Sequence, residues 1–229
     1  MLVPAVIPPF PLEWGFTTRE DPETSRPPMR LTQVHGCELV EASDRLQVAD
    51  GLWTFSPGLT IGVMVADCVP VLLAGPVHGR PWAAAIHAGW RGAVAGILRR
   101  GVAVFTGLGG RPEDLVWALG PAIQKCHFEV GEDVLEAARQ DSAFREAMAA
   151  PGPRGRPHLD LHGLLRGQAQ ELGLDPARDG SIPMCTYCSP GLLDSYRRGD
   201  RLRRQWGWVR IGQQVPPSAW TVVVEALPA

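Results

Sequence analysis

The stretch from Leu59 to Gly92, LTIGVMVADCVPVLLAGPVHGRPWAAAIHAGWRG, constrains this chain more than any other, because two apolar runs within it each end on a reactive side chain. Leu59 to Ala66 is short and β-branched and ends at Asp67-Cys68; Val69 to Ala74 continues it, and Pro81 to Ile86 is a second run ending at His87. These read as buried strands. Ala88 to Gly92 then leads into Ala93 to Phe105, where Val94, Ile97, Leu98, Val102 and Phe105 fall at helical spacing. A strand, a small-residue turn and a helix start is where α/β enzymes keep their chemistry.

Around this centre the pattern predicts a short strand over Leu12 to Thr18, then a polar, proline-rich connection from Arg19 to Pro28. Arg30 to Val34 leads to His35-Gly36, Cys37 to Glu41 alternates as a strand, and Asp50-Gly51 is a turn signal. Beyond the central helix, Gly107 to Asp114 reads as a loop, Leu115 to Leu119 as a buried strand and Gly120-Pro121 as a stop. Cys126 to Val130 is short and ambiguous. Gly131 to Ala150 carries two helical patterns, Pro151 to Pro157 resembles a linker, and Leu159 to Leu172 is a helix with Asp160 near its start and Gly173 at its end. Ile182 to Cys188, Ser195 to Arg198 and Gly207 to Ile211 read as strands and turns, and Trp220 to Ala226 as a last strand.

At 229 residues and 45% hydrophobic content, the chain is expected to form one domain with a sizeable core. A formal charge of −2 and a pI of about 6.3 argue against a nucleic-acid or anionic-membrane surface. The apolar N-terminus lacks a basic start and is broken by Pro4, Pro8, Pro9 and Pro11, so it does not read as a signal peptide. Asp67 and Arg99-Arg100 interrupt the runs that could otherwise cross a bilayer. A cytoplasmic protein is expected, and five cysteines, an odd number, point to reduced thiols rather than a disulfide framework.

Cys68 and His87 each follow an apolar strand and His35 follows a third, so three metal-capable side chains can converge from distant positions. Their spacing matches no short zinc finger, and a buried cysteine with two histidines satisfied by backbone carbonyls is an equal reading of the residues alone. Cys126-His127 invites a nucleophile pair, yet neighbours on an extended segment point to opposite faces. Cys185 and Cys188 form a C-x-x-C that is a redox pair, half of a zinc site or a fortuitous pair, and the second half is missing from the local sequence. Asp67 and Glu129 serve either proton transfer or structural hydrogen bonds. Six scattered histidines are too few for a multicopper oxidase, although Met64 beside the three could complete one blue-copper site. The P-C-x-x-C signature of a zinc deaminase is not met, because Pro183-Met184-Cys185-Thr186-Tyr187-Cys188 has one residue too many. A metal-free hydrolase with Cys68 as nucleophile and His87 as base remains open.

Six ordered motifs go further. They are Thr32-Gln33-Val34-His35-Gly36; Ala66-Asp67-Cys68-Val69-Pro70-Val71-Leu72-Leu73; Ala85-Ile86-His87-Ala88-Gly89-Trp90-Arg91-Gly92; Gly120-Pro121-Ala122-Ile123 with Cys126 and Phe128 to Gly131; Cys185-Thr186-Tyr187-Cys188; and Ser195-Tyr196-Arg197-Arg198. From about Trp14 to Ile211 the chain resembles the laccase-domain, YfiH-like family, labelled polyphenol oxidase and also purine nucleoside phosphorylase. The resemblance implies an α+β fold, a single-domain layered sandwich with mixed sheets, with 212–229 an extension beyond the match. It also implies a zinc site made by His35, Cys68 and His87, with copper as the alternative metal. Phosphorolysis of purine nucleosides (adenosine, inosine and 5′-methylthioadenosine) with inorganic phosphate, and a companion adenosine deamination, are the implied activities.

Two departures stand out. Only Arg19 to Leu31 separates the first strand from the Gln-Val-His-Gly motif, where relatives carry a longer segment, and Gly199 to Arg204 replaces their Asp-Gly and Thr-Gly-Arg. The phosphate needs donors, and the Gly89–Gly92 helix start with Arg91 offers backbone N–H groups and a guanidinium, unless Arg91 instead pairs with a structural carboxylate. Gln33, Arg91 and Arg197 are therefore the candidate substrate-binding residues. His35, Cys68, His87 and Asp67 are the candidate catalytic ones, and His127, Glu129 and Asp67 are candidates to assist the departing base.

Overall fold

The computed structural model describes residues 1–6, 8–23 and 31–213. Its strands are β1 Leu12–Phe16, β2 Leu31–Thr32, β3 Leu39–Glu41, β4 Gln47–Val48, β5 Gly51–Thr54, β6 Thr60–Val65, β7 Val69–Val77, β8 Arg80–Ala88, β9 Val116–Leu119, β10 Ala149–Pro151, β11 Pro157–Leu159 and β12 Gln205–Ile211. The helices are α1 Trp90–Val94, α2 Ile97–Gly107, α3 Glu132–Arg139 and α4 Leu161–Glu171. The expected strand over Trp220–Ala226 and the rest of the proposed extension from 214 onward lie outside the described residues.

The β7–β8 hairpin is the spine. Val77 pairs with Arg80 across a two-residue turn whose His78 and Gly79 both take positive φ, 48° and 74°, the handedness that matches the twist of the flanking strands. Around it forms a five-stranded sheet in the order β3-β5-β8-β7-β9. Alternate side chains go to opposite faces. Val71 and Leu73 of β7 and Ala84 and Ile86 of β8 face the helices, while Leu72, Ala74, Ala83 and Ala85 face a second, three-stranded antiparallel sheet, β1-β12-β6. The result is a layered, mixed α+β single domain of sheet, sheet and helices, in which the central hairpin is buried on both sides. Among the described residues, no helix is long and apolar enough to cross a membrane.

The apolar runs on either side of Asp67 belong to different sheets, not to one continued strand. β6 lies in the three-stranded sheet and β7 in the five-stranded one, and the chain crosses between them at Ala66-Asp67-Cys68, where Asp67 takes φ 88°. The single expected central helix is two, because Gly96, at φ 86°, adopts the left-handed conformation that ends α1 and starts α2. Other expectations shorten. The second helical pattern in 131–150 is a single 3₁₀ turn, Glu146–Met148, and Pro151–Pro157 closes the β10–β11 hairpin rather than linking domains. The segments 182–188 and 195–198 are irregular with turns rather than strands, the first joined to Ala122 by a bridge at Cys185.

Burial on both faces has a measurable signature. Leu72→Ala and Leu73→Ala, adjacent but facing different cores, should each lower unfolding free energy by about 2–5 kcal/mol. Urea denaturation in which only one of the two is costly would show that one face of β7 is solvated.

Candidate functional site

Three elements bring His35, Cys68 and His87 together. Cys68 immediately precedes β7, His87 is the penultimate residue of β8 and pairs with Pro70, and His35 occupies the turn after β2 at φ 59°. The ligand atoms of the three lie within 4.8 Å of one another, and the two imidazoles meet edge to face at 4.7 Å. Gly89 permits this approach, since a Cβ there would stand 3.1 Å from the His35 ring and 3.2 Å from the Cys68 sulfur. A tetrahedral zinc with bonds of about 2.0–2.3 Å sets its ligand atoms about 3.3–3.8 Å apart, so small side-chain movements close these three on an ion.

Asp50 organises the cluster, although its Asp-Gly sequence reads as a surface turn. It is fully buried. Its carboxylate accepts the backbone N–H of His35 at 2.9 Å and of Gly36 at 2.7 Å, and its Oδ1 lies 2.8 Å from His87 Nδ1. Its carbonyl accepts the His87 backbone N–H. Burial pushes the Asp50 carboxyl up, and the His87 contact and these N–H donors outweigh it, so the group stays below the ordinary carboxylate range. Burial likewise opposes charge on His87, yet Asp50 and Cys68 raise it to about 9. Burial raises the Cys68 thiol, but hydrogen bonds from His35 and His87 bring it down to about 7. A histidine whose Nδ1 is held by a carboxylate presents Nε2 to a metal, and a thiol held near neutrality is ready to ligate as thiolate.

The cluster forms the floor of a cavity of about 790 Å³. Its walls include Met64, Ile123, Phe128 and Tyr196, with Arg197 and Arg204 at the side. Mostly apolar walls with a few convergent polar groups are the usual makeup of a small-molecule site.

The remaining sequence candidates divide. Gln33 lines the cavity, with its side-chain amide exchanging two hydrogen bonds with the Met64 backbone, 2.9 and 2.8 Å, which fixes the His35 turn to β6. Asp67 also lines it, but both carboxylate oxygens are engaged, by the Thr186 hydroxyl at 2.6 Å and the Arg197 N–H at 2.7 Å. Arg197 reaches the Glu129 carbonyl at 2.9 Å while bordering the cavity. Arg91 is exposed, its guanidinium 4.3 Å from the Trp90 ring, and is not among the cavity's lining residues. The structure therefore does not bring the expected phosphate arginine to the cavity. The guanidiniums it does bring are those of Arg197 and Arg204. Glu129 pairs with Arg154 at 2.9 Å. Cys126 and His127, expected on opposite faces of a strand, lie in a turn with both side chains on the same side.

In chelator-treated protein, alkylation of Cys68 followed by peptide mapping should rise with pH around a midpoint of about 7, because the thiolate becomes the majority form above that value. Asp50→Asn should move the midpoint upward by removing the carboxylate that keeps His87 charged beside the sulfur. A wild-type midpoint at the ordinary thiol value would refute this charge arrangement.

Comparison with known proteins gives a consistent result. A family model described as multi-copper polyphenol oxidoreductase laccase matches residues 19–212. The chain is 36% identical over 179 residues to a purine nucleoside phosphorylase of Pseudomonas aeruginosa, spanning 77% of this chain and 71% of that one. It is 40% identical over 180 residues to a purine nucleoside phosphorylase of Deinococcus radiodurans, spanning 77% and 67%. Among solved structures, YlmD from Geobacillus stearothermophilus superposes with a TM-score of 0.77 at 25% identity, over 90% of this chain and 94% of that one. The Bacillus licheniformis hypothetical protein YfiH superposes at 0.78 and 22% identity, over 87% and 92%, which speaks to the fold alone.

Proposed function

The chain belongs to the multi-copper polyphenol oxidoreductase laccase family, and from that premise we propose that it is a zinc-dependent purine nucleoside phosphorylase with a side activity of adenosine deamination. The observation that carries the reading is the convergence, in one cavity, of a Cys-His-His floor, aromatic walls and two guanidiniums. The names of its relatives point the same way. His35, Cys68 and His87 would hold the zinc, and three protein ligands leave a position for chemistry. Bound there, zinc supplies Lewis acidity toward an oxygen of water or phosphate.

The chain's own residues have separable tasks. Breaking an N-glycosidic bond builds positive charge on the ribose and negative charge on the departing purine, so an anionic nucleophile must be held on one side and the base helped away on the other. Arg197 and Arg204 border the cavity and supply positive charge for inorganic phosphate. Phe128 and Tyr196 offer aromatic surface to a purine. Asp50 fixes His87 through Nδ1, so that Nε2 is the nitrogen left to face Cys68 and a metal. Asp67 is the one acid among the described cavity-lining residues, which makes it the candidate of the three named earlier for the departing base. Five free cysteines are in keeping with a reducing compartment such as the cytoplasm.

A second reading rests on one specific observation. Cys68, His87 and Asp50 are ordered as thiol, imidazole and carboxylate, with the thiol near 7, which is also the arrangement of a metal-free cysteine hydrolase. Adenosine, inosine and 5′-methylthioadenosine, each with and without phosphate, separate the readings. Base release should require phosphate and yield ribose 1-phosphate or its methylthio analogue, while ammonia from adenosine should appear in either case. Cys68→Ser should lower kcat/KM by at least about 10²-fold and lose one zinc together. Base release at an unchanged rate without phosphate, or full activity in zinc-free protein, overturns the assignment.

A further inference from the structure

A second group of metal-capable side chains stands apart from the cavity floor. Cys126, His127, Cys185 and Cys188 place their four ligand atoms within 4.8 Å of one another. The Cys126 and Cys188 sulfurs are 3.8 Å apart, and His127 Nδ1 lies 3.2 Å from each of them. Zinc with thiolate bonds of about 2.3 Å puts sulfur atoms about 3.8 Å apart and a sulfur and an imidazole nitrogen about 3.6 Å apart, so the spacing is that of a tetrahedron with little adjustment. A disulfide would need about 2.05 Å, and all five cysteines are free.

We propose that Cys126, His127, Cys185 and Cys188 form a second, structural zinc site. Four protein donors of the Cys₃His type close the coordination sphere, unlike the three-ligand site on the cavity floor. Each half is built by a local turn. The N–H groups of His127 and Phe128 both donate to the Gln124 carbonyl, which curls the chain so that adjacent residues 126 and 127 face the same way. The C-x-x-C half is a turn in which the N–H groups of Gln124 and Cys188 are directed at the Cys185 sulfur. Hydrogen bonds from Ala122 N–H to the Met184 carbonyl and from Thr186 N–H to the Ala122 carbonyl, both 3.1 Å, hold the halves in register. The His127 ring stacks on Tyr187 at 4.2 Å, which sets the orientation that points Nδ1 at the sulfurs.

The site clamps two loops that lead into the cavity wall. Ile123 and Phe128 flank one half, and Tyr196 and Arg197 follow the other. The zinc would fix the width of the cavity without touching its contents, and the inference does not depend on which reaction the cavity supports.

The test is elemental analysis of protein purified without added metal or chelator. Wild type should hold about two zinc ions per chain, Cys68→Ser about one, and Cys185→Ser/Cys188→Ser about one. Cobalt(II) added to stripped Cys68→Ser should give the intense thiolate-to-cobalt charge-transfer and visible bands of a tetrahedral site. Cys126→Ser in the same background should weaken and shift them. Because Cys68→Ser retains all four proposed ligands, the test stands even if the double variant fails to fold. Zinc-free Cys68→Ser that gives no such cobalt bands overturns the proposal, as does a Cys126–Cys188 or Cys185–Cys188 disulfide in protein kept under reducing conditions. Unchanged phosphorolysis in Cys68→Ser with one zinc retained would count against the proposed reaction and leave this site standing.

Discussion

The buried carboxylate of Asp50 is the interaction on which the cavity floor depends. A charged group removed from water is costly unless its lone pairs are filled, and here backbone N–H groups of the His35 turn and the His87 ring fill them. One side chain thus ties three pieces of structure: the segment entering β5, the end of β8 and the turn that carries His35. Without it the His35 and Gly36 amides would be unpaired beside an imidazole with no fixed tautomer.

Backbone strain concentrates at the same place. His35 and Asp67, two of the three non-glycine residues with positive φ among the described residues, both line the cavity. Such conformations cost on the order of 1 kcal/mol each and persist only where surroundings over-determine them. For Asp67 the determinants are plain: its carboxylate accepts from Thr186 and Arg197, and its carbonyl accepts the Ile123 N–H. The crossing between the two sheets is thereby fastened to both loops of the cavity wall, and Cys68 is delivered at its exit.

What could be read from the residues alone follows from this arrangement. Cys68 and His87 were legible because apolar runs announce buried strands, and side chains at strand ends are delivered to sheet edges. Asp50 was not, since Asp-Gly is a strong turn signal and nothing local distinguishes a solvated turn aspartate from one buried against a histidine. Arg91 misled for a related reason. A glycine-flanked arginine at a helix start resembles an anion site, but α1 is only five residues long and Arg91 packs on Trp90 at the surface. The layered α+β class was implied by the family resemblance, whereas the split of the central run between two sheets is set at Asp67, whose positive φ accompanies the crossing.

The four-residue Cys-His group shows the same limit from the other side. Its halves are 58 residues apart, counted from His127 to Cys185, and neither has the ligand count of a metal site alone. Extended-strand geometry would have turned Cys126 and His127 away from each other. Only the parallel bridge between Ala122 and Cys185 makes them one cluster. The two cysteine-histidine groups differ in what the fold leaves open: the first presents three donors to a cavity of about 790 Å³, and the second brings four donors around one centre. Coordination number therefore separates a centre suited to chemistry from one suited to holding the wall around it.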